Sequence, residues 1–263
     1  MSFHDLHHGD RPLVLPNAWD VPSALAFLDA GFAAIGTTSF GVASSIGRPD
    51  GGRATRAANL TLARELAKLP CHISVDAEDG YADEPDRVAG YVAELGVAGI
   101  NIEDSTAGTL IPPEAHAAKV AAIKSRCPDV FVNARVDTYW LHEDETVAAT
   151  LERASRYVEA GADGVFVPGA AEPALLRELA ANIPVPLNVL VNPLLSLEEL
   201  AGLGVRRVST GSLPYRAAIH AATEVAGAVR AGRPVPAATP YPDLQARLVG
   251  YERLQTGGGS RTG

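Results

Sequence analysis

Two hydrophobic periods alternate along the chain. Short apolar, β-branched runs predict strands at about Leu13–Asn17, Ala33–Ser39, His72–Asp76, Gly99–Glu103, Val130–Arg135, Gly164–Val167, Val185–Val189 and Arg207–Ser209. Between them, Ala/Leu-rich stretches with helical spacing predict helices at about Pro22–Ala30, Arg56–Leu69, Pro85–Leu95, Pro113–Arg126, Glu145–Ala160, Pro173–Ala181 and Ser196–Leu203. Strands separated by helices imply βαβ units and a parallel sheet. One junction recurs at Gly31, Gly96, Gly161 and Gly204: a helix ends, glycine takes the left-handed position after it, and a strand begins within a few residues. Prolines 22, 85, 113 and 173 stand near helix starts, where a missing N–H costs nothing.

Eight such units predict a single (β/α)8 TIM barrel. The competing doubly wound sheet would want a glycine-rich turn after the first strand, and Pro16-Asn17-Ala18-Trp19-Asp20 has no glycine. Beyond the eighth strand the pattern predicts a long helix over Tyr215–Ala231, a proline-rich stretch, and a short helix over Pro242–Gln255. The chain thus divides into an N-terminal tail (1–11) with solvated histidines, the barrel (12–231), a C-terminal helical extension (232–255) and a disordered tail (256–263). An element beyond a closed barrel is expected to pack on a neighbouring subunit, so an oligomer is expected.

Composition narrows the function classes. The 263 residues are 47% hydrophobic and 20% charged, as a barrel with one large core requires. The net charge of −9 argues against nucleic acid and anionic membrane as partners. Cys71 and Cys127 carry no disulfide framework and no metal-ligand spacing, which fits a reduced, cytoplasmic setting. No apolar run suits a signal peptide or a membrane span.

Candidate chemistry gathers where strands end. In barrels the reactive side chains stand at the carboxyl ends of the strands. Those ends here carry Thr37-Thr38-Ser39, Asp76-Ala77-Glu78-Asp79-Gly80-Tyr81, Asn101-Ile102-Glu103-Asp104, Asn133-Ala134-Arg135-Val136-Asp137 and Asn188. Strand parity puts Asp76 with Glu78, and Asn101 with Glu103, on one face. Asp79 then faces away and serves the turn; Asp104 reads as a loop or capping residue, and Asp83 and Asp144 as helix caps. Clustered acids repel one another and call for a cation. Oxygen ligands without nearby His or Cys favour Mg²⁺, or Mn²⁺, over Zn²⁺. Arg135, set in an apolar strand, would bind a substrate carboxylate or a developing oxyanion, or else serve as a structural ion-pair partner. No general acid or base is evident from the pattern; a metal-bound water, Glu78 and Tyr81 are the candidates for proton transfer.

Several stretches together resemble the isocitrate lyase/phosphoenolpyruvate (PEP) mutase superfamily. They are Leu15-Pro-Asn-Ala-Trp-Asp20, the run from Thr37 to Gly51, Val75-Asp-Ala-Glu-Asp-Gly-Tyr81, Gly99-Ile-Asn-Ile-Glu-Asp104 and Asn133-Ala-Arg-Val-Asp137. The resemblance covers roughly residues 12–230 and implies a barrel whose eighth helix is often swapped in dimers or tetramers. It implies Mg²⁺ and a small 2-oxo acid or dicarboxylate substrate. Asp76 would be the acid closest to the metal; Glu78, also a candidate ligand, stands where many members have aspartate, Glu103 would belong to the outer metal shell, and Asp50 would reach a metal-bound water. Ser39 and the backbone at Phe40 and Gly41 would hold a substrate carboxylate. Trp19 would line the pocket, Arg135 would contact the substrate, and Asn188 would sit at the far side.

One departure bears on the reaction. Lyases of this superfamily carry a Cys-containing lid, and mutases and phosphonopyruvate hydrolases a longer lysine-containing gating loop. The corresponding loop here, Ser105–Pro113, has no Cys, Lys or His. The expectation is therefore a lyase-type enzyme that cleaves or forms a C–C bond, or decarboxylates a 2-oxo acid, through a metal-stabilised enolate. P–C chemistry on phosphonopyruvate or PEP is the second reading, and a non-catalytic 2-oxo acid-binding barrel the third.

Overall fold

The computed structural model describes residues 1–257. The strands are β1 (Leu13–Leu15), β2 (Asn17–Ala18), β3 (Ala34–Thr37), β4 (His72–Asp76), β5 (Gly99–Glu103), β6 (Ser105–Thr106), β7 (Thr109–Leu110), β8 (Phe131–Arg135), β9 (Gly164–Phe166), β10 (Leu187–Leu190) and β11 (Val205–Ser209). The helices are α1 (Val21–Asp29), α2 (Ser39–Ser45), α3 (Arg56–Leu66), α4 (Pro85–Leu95), α5 (Pro113–Arg126), α6 (Thr138–Leu141), α7 (Val147–Glu159), α8 (Pro173–Asn182), α9 (Leu197–Gly202), α10 (Leu213–Arg230) and α11 (Tyr241–Gly257).

Nine strands form one sheet, in the order β1-β11-β10-β9-β8-β5-β4-β3-β2, and every pairing within it is parallel. Its two edge strands are neighbours on the chain, separated only by Pro16. Proline has no N–H for the ladder, so the first predicted strand is split there. The Pro16 carbonyl still accepts from Gly36 N at 2.8 Å. The first half pairs with β11 and the second with β3, and the sheet closes on itself as a (β/α)8-type barrel. The four junction glycines all have positive φ, between 65° and 103°.

The main core lies between sheet and helices, and includes Ile73, Val75, Ile100, Val132, Val165 and Leu187 from the strands. A smaller cluster of Phe3, Leu15, Ala34 and Phe131 fills the amino-terminal end of the barrel. Two glycines make room inside. A Cβ on Gly99 would lie 2.4 Å from the Phe3 ring, and one on Gly164 would lie 2.9 Å from Asn133 Oδ1. The N-terminal segment is therefore not a solvated tail throughout. Phe3 and His7 are buried, and His7 stacks on Phe131 at 4.0 Å with its Nδ1 against the Phe3 carbonyl. Sequence pattern missed this because a single Phe among polar residues makes no period.

Other local expectations change as well. Asp83 caps no helix; it pairs with Arg53 at 2.5 Å. Asp144 takes a left-handed φ of 51°, and it is Thr146 that caps α7. The short loop after β5 is a two-stranded hairpin, β6–β7, tied down by Leu110 N to Glu143 Oε2 at 3.1 Å and Thr106 Oγ1 to Asp79 Oδ2 at 2.6 Å.

The C-terminal extension docks on its own barrel. Arg247 pairs with Asp29 of α1 at 2.6 Å, and Tyr251 OH donates to Glu65 of α3 at 2.5 Å. The element left largely uncovered is α10, where only Ala228 is buried and Ile219 and Val229 are exposed. The expected disordered tail overlaps α11 at residues 256 and 257 and otherwise lies outside the described residues. No helix among the described residues is long and apolar enough to cross a membrane.

Candidate active site

A cavity opens at the carboxyl ends of the strands, with about 540 Å³ of empty space when its open mouth is included. Thr37, Thr38, Ser39 and Phe40 line it from the β3–α2 junction, and Asp50 from the loop beyond. Asp76 enters from β4, Asn101 from β5 and Arg135 from β8. Trp140, Phe166, Pro168 and Leu190 form an apolar wall, and Ser209, Gly211 and Ser212 close the ring.

The carboxylates are fixed by their neighbours. Asp76 Oδ2 accepts from Ser39 N at 3.2 Å, while Asp76 N donates to Thr37 Oγ1 at 2.9 Å. Asp50 Oδ2 accepts from Ser39 Oγ at 3.3 Å. Burial and then the charge of Asp76 hold the Asp50 carboxyl above its usual range. Glu103 stands opposite Arg135 in the ladder and pairs with it at 2.8 Å. Burial raises Glu103 well above the carboxylate range; Arg135 opposes this, and Asp137, Asp76 and Asp50 reinforce it.

Arg135 also donates from Nε to Asp137 Oδ1 at 2.6 Å, and Asp137 is pinned in turn by Ser105 Oγ at 2.6 Å. The guanidinium carbon lies 5.7 Å from the Trp140 ring centroid and 5.9 Å from that of Phe166. Rigid acceptors and aromatic faces leave Arg135 one orientation.

The remaining candidates stand elsewhere. The strand ends at Asp76, so parity does not carry to Glu78, whose φ is 46°. Glu78 is buried and accepts from Thr55 Oγ1 and from Arg53 N, behind rather than on the cavity wall. Burial, chiefly, raises its proton affinity. Tyr81 OH lies 3.1 Å from both Thr55 Oγ1 and Asn59 Nδ2, and its ring packs on Tyr91. Burial raises the phenol far above its ordinary range, with the Glu78 charge adding to it.

Trp19 packs edge-on against Tyr215 and lies outside the cavity lining. Gly41 N faces the Thr38 hydroxyl at 3.4 Å as part of the α2 cap, and Phe40 borders the cavity. Asn188 is fully buried beneath the cavity and accepts from Ser209 Oγ at 3.2 Å.

The sequence pattern missed what several residues do. Asp79 does more than serve the turn: it is buried and holds Arg53 at 2.5 Å. Arg53 sits in a glycine-rich loop that gives no local signal. Asp104 does stand in the bend between β5 and β6, as a loop residue would, but it is not at the surface. It is fully buried, receives Arg153 at 3.0 Å and Tyr157 OH at 2.6 Å, and anchors Asp137 N at 2.8 Å. Arg207 is buried in the barrel interior, 2.9 Å from Asn101 Oδ1. The rule that drew attention to Arg135, a charge set within an apolar strand, applies equally to Arg207.

Among the described residues no three His, Cys, Asp or Glu side chains form a ready-made metal-ligand cluster. The donor chemistry nonetheless fits a hard cation. Asp50 and Asp76 open into one cavity with hydroxyls and no thiol or imidazole on its wall, and the neighbouring acids oppose each other's ionisation. A divalent ion taking part of its oxygen shell from substrate and solvent would relieve that repulsion.

Comparison with known proteins agrees with this geometry. Residues 3–230 match the family profile described as phosphoenolpyruvate phosphomutase. The chain is 63% identical over 252 residues to uncharacterized protein Rv1998c of Mycobacterium tuberculosis, covering 96% of this chain and 98% of that protein. It is 30% identical to 2-methylisocitrate lyase of Bacillus subtilis, over 87% of this chain and 80% of the relative. A structure of phosphonopyruvate hydrolase in complex with oxalate and Mg²⁺ superposes with a TM-score of 0.83 at 25% identity, over 99% of both chains.

Proposed function

The chain belongs to the phosphoenolpyruvate phosphomutase family, within the isocitrate lyase/PEP mutase superfamily, and on that premise we propose an Mg²⁺-dependent enzyme for a small 2-oxo or 2-hydroxy carboxylate. The proposed reaction is cleavage of a C–C bond or decarboxylation. The observation that carries this reading is one cavity lined by both the carboxylates of Asp50 and Asp76 and the guanidinium of Arg135.

Asp76 would hold the cation, with Asp50 and Glu103 completing its polar surroundings; Mn²⁺ suits the same donors. Once bound, such an ion supplies Lewis-acid polarisation of a carbonyl and neutralises a carboxylate. Arg135 binds substrate and stabilises negative charge. Burial works against its charge, yet Asp137 and Glu103 outweigh burial and keep it protonated, so it serves as a charge stabiliser and not as a proton source. Trp140, Phe166 and Leu190 shield one side of the cavity from water, which strengthens those interactions. Tyr81, enclosed in its own hydrogen-bond network, is not favoured as the acid or base.

Carbon chemistry is favoured over phosphorus chemistry by the β6–β7 hairpin. It is short and tied to Asp79 and Glu143, unlike a long loop able to close over a reactive intermediate. The exposed apolar face of α10 supports a homodimer or homotetramer in which a second copy covers it. The test is a turnover panel with Mg²⁺: oxaloacetate and 2-methylmalate-like acids against phosphonopyruvate and PEP, on wild type and Asp76→Ala. Mg²⁺-dependent turnover of a carbon acid, abolished in D76A, is expected. Undiminished turnover in D76A would sink the reading, and turnover of phosphonopyruvate alone would favour P–C chemistry.

A further inference from the structure

Arg207 is a cation in the barrel interior that the proposed chemistry leaves unused. Only 1% of it is exposed, and its partners are neutral oxygens: Asn101 Oδ1 at 2.9 Å, Ser209 Oγ at 3.4 Å and Ser74 Oγ at 3.5 Å. Its Nη1 has no partner among the described residues. Barrel interiors are ordinarily filled with branched aliphatic side chains. A guanidinium there with no carboxylate in contact, Asp76 favouring its charge only through space, is costly, and its retention calls for a reason.

The reason offered by the geometry is Asn101. Its Oδ1 accepts from Arg207 Nη2 and from Asn133 Nδ2, each at 2.9 Å. An amide oxygen has two lone pairs, and both are engaged. Turning the amide over would set its N–H groups against those of Arg207 and Asn133. The Asn101 Nδ2 group is thus held on the other side of the amide. It has no protein partner among the described residues, it is not one of the buried polar atoms left without one, and Asn101 lines the cavity.

We propose that Asn101 Nδ2 donates a hydrogen bond to an anionic oxygen of the substrate, and that Arg207 is the positioning residue that fixes this donor and places a positive charge beneath it. The pair selects substrates whose carboxylate or developing oxyanion reaches the cavity floor. Arg135 then acts from the wall and Asn101 from below. This inference rests on the carboxylate reading of the cavity.

Oxalate serves as the probe, titrated calorimetrically into the full chain with saturating Mg²⁺. Asn101→Ala is expected to weaken oxalate about 10- to 100-fold, the size of one hydrogen bond to a charged group, with Mg²⁺ affinity measured without oxalate unchanged. Arg207→Met is expected to lose a similar factor, and the double variant N101A/R207M no more than either single one, because the two act as a unit. Should R207M fail to fold, Arg207→Lys takes its place in the same cycle. Wild-type oxalate affinity in N101A, or losses that multiply in the double variant, would overturn the proposal alone. Failure of the wild type to bind oxalate would overturn the carboxylate reading and this pair's role together.

Discussion

Glu103 and Arg135 face each other as ladder partners on β5 and β8, and their side chains close a 2.8 Å ion pair of which Arg135 lines the cavity and Glu103 does not. Asp137 takes the other side of the same guanidinium at 2.6 Å. The arginine thus has two acceptors, and its two partners are unequal: Asp137 is anchored by Ser105 and Asp104, whereas Glu103 has its proton affinity raised by burial.

Unequal partners predict unequal variants. Arg135→Met leaves two buried carboxyls without their cation and is expected to cost about 3–5 kcal/mol of stability. Glu103→Gln keeps a hydrogen-bonding oxygen for Arg135 and is expected to cost about 1 kcal/mol. Urea denaturation of both variants checks the ordering; equal losses would contradict it.

Tyr81→Phe separates structure from catalysis. The hydroxyl touches Thr55 and Asn59 rather than the cavity. Removing it is expected to lower stability by about 1 kcal/mol while kcat stays within about threefold of wild type, a change of well under 1 kcal/mol in the barrier. A loss of kcat near a hundredfold would restore Tyr81 as a proton-transfer residue.

Acid should weaken the fold through two histidines far from the cavity acids. Burial, aided by the charge of Arg207, lowers His7 to about 3, and burial, aided by Lys119 and Arg153, lowers His116 to about 3. Both folded values lie below the unfolded value of about 6.5, so no penalty exists above that pH. Below it the unfolded chain takes up protons that the folded chain refuses. Stability then falls by roughly 1.4 kcal/mol per pH unit for each histidine until pH approaches 3. His116→Leu should flatten this acid limb in urea melts at pH 7.5, 6.0 and 5.0; an unchanged slope would rule out His116 as its source.

The amino-terminal plug predicts a packing defect. Gly99→Ala puts a methyl group 2.4 Å from the Phe3 ring, which is itself wedged among His7, His72 and Phe131. A destabilisation of about 1–3 kcal/mol is expected. Phe3→Ala in the same background should relieve the clash, so the two losses, read from thermal melts, should be less than additive.

Much of the architecture was legible because it is periodic. The strands His72–Asp76 and Gly99–Glu103, and the helices Pro85–Leu95 and Pro113–Arg126, coincide with their apolar patterns. Features without a period were not legible. The Phe3 plug depends on the vacancy above Gly99, the Asp104–Arg153–Tyr157 cluster on residues 49 and 53 positions apart, and Arg53 on a loop. At the site, the types and order of Asp50, Asp76 and Arg135 carried the reading into one cavity. Parity failed at Glu78 because the backbone leaves β geometry two residues earlier than the pattern of acids suggests.

The split at Pro16 also ties closure of the barrel to the last strand on the chain. Its two flanks bind opposite edges of the sheet, β11 on one side and β3 on the other. Asn17, just past the break, donates to the Thr37 carbonyl and accepts from Gly211 N, about the full length of the barrel apart in sequence. Residues 17–18 pair with β3, the next strand along the chain, whereas 13–15 have no ladder partner until β11 exists. A chain truncated before Val205 would lack β11, and with it the ladder partner that the Leu13–Leu15 edge needs for the sheet to close.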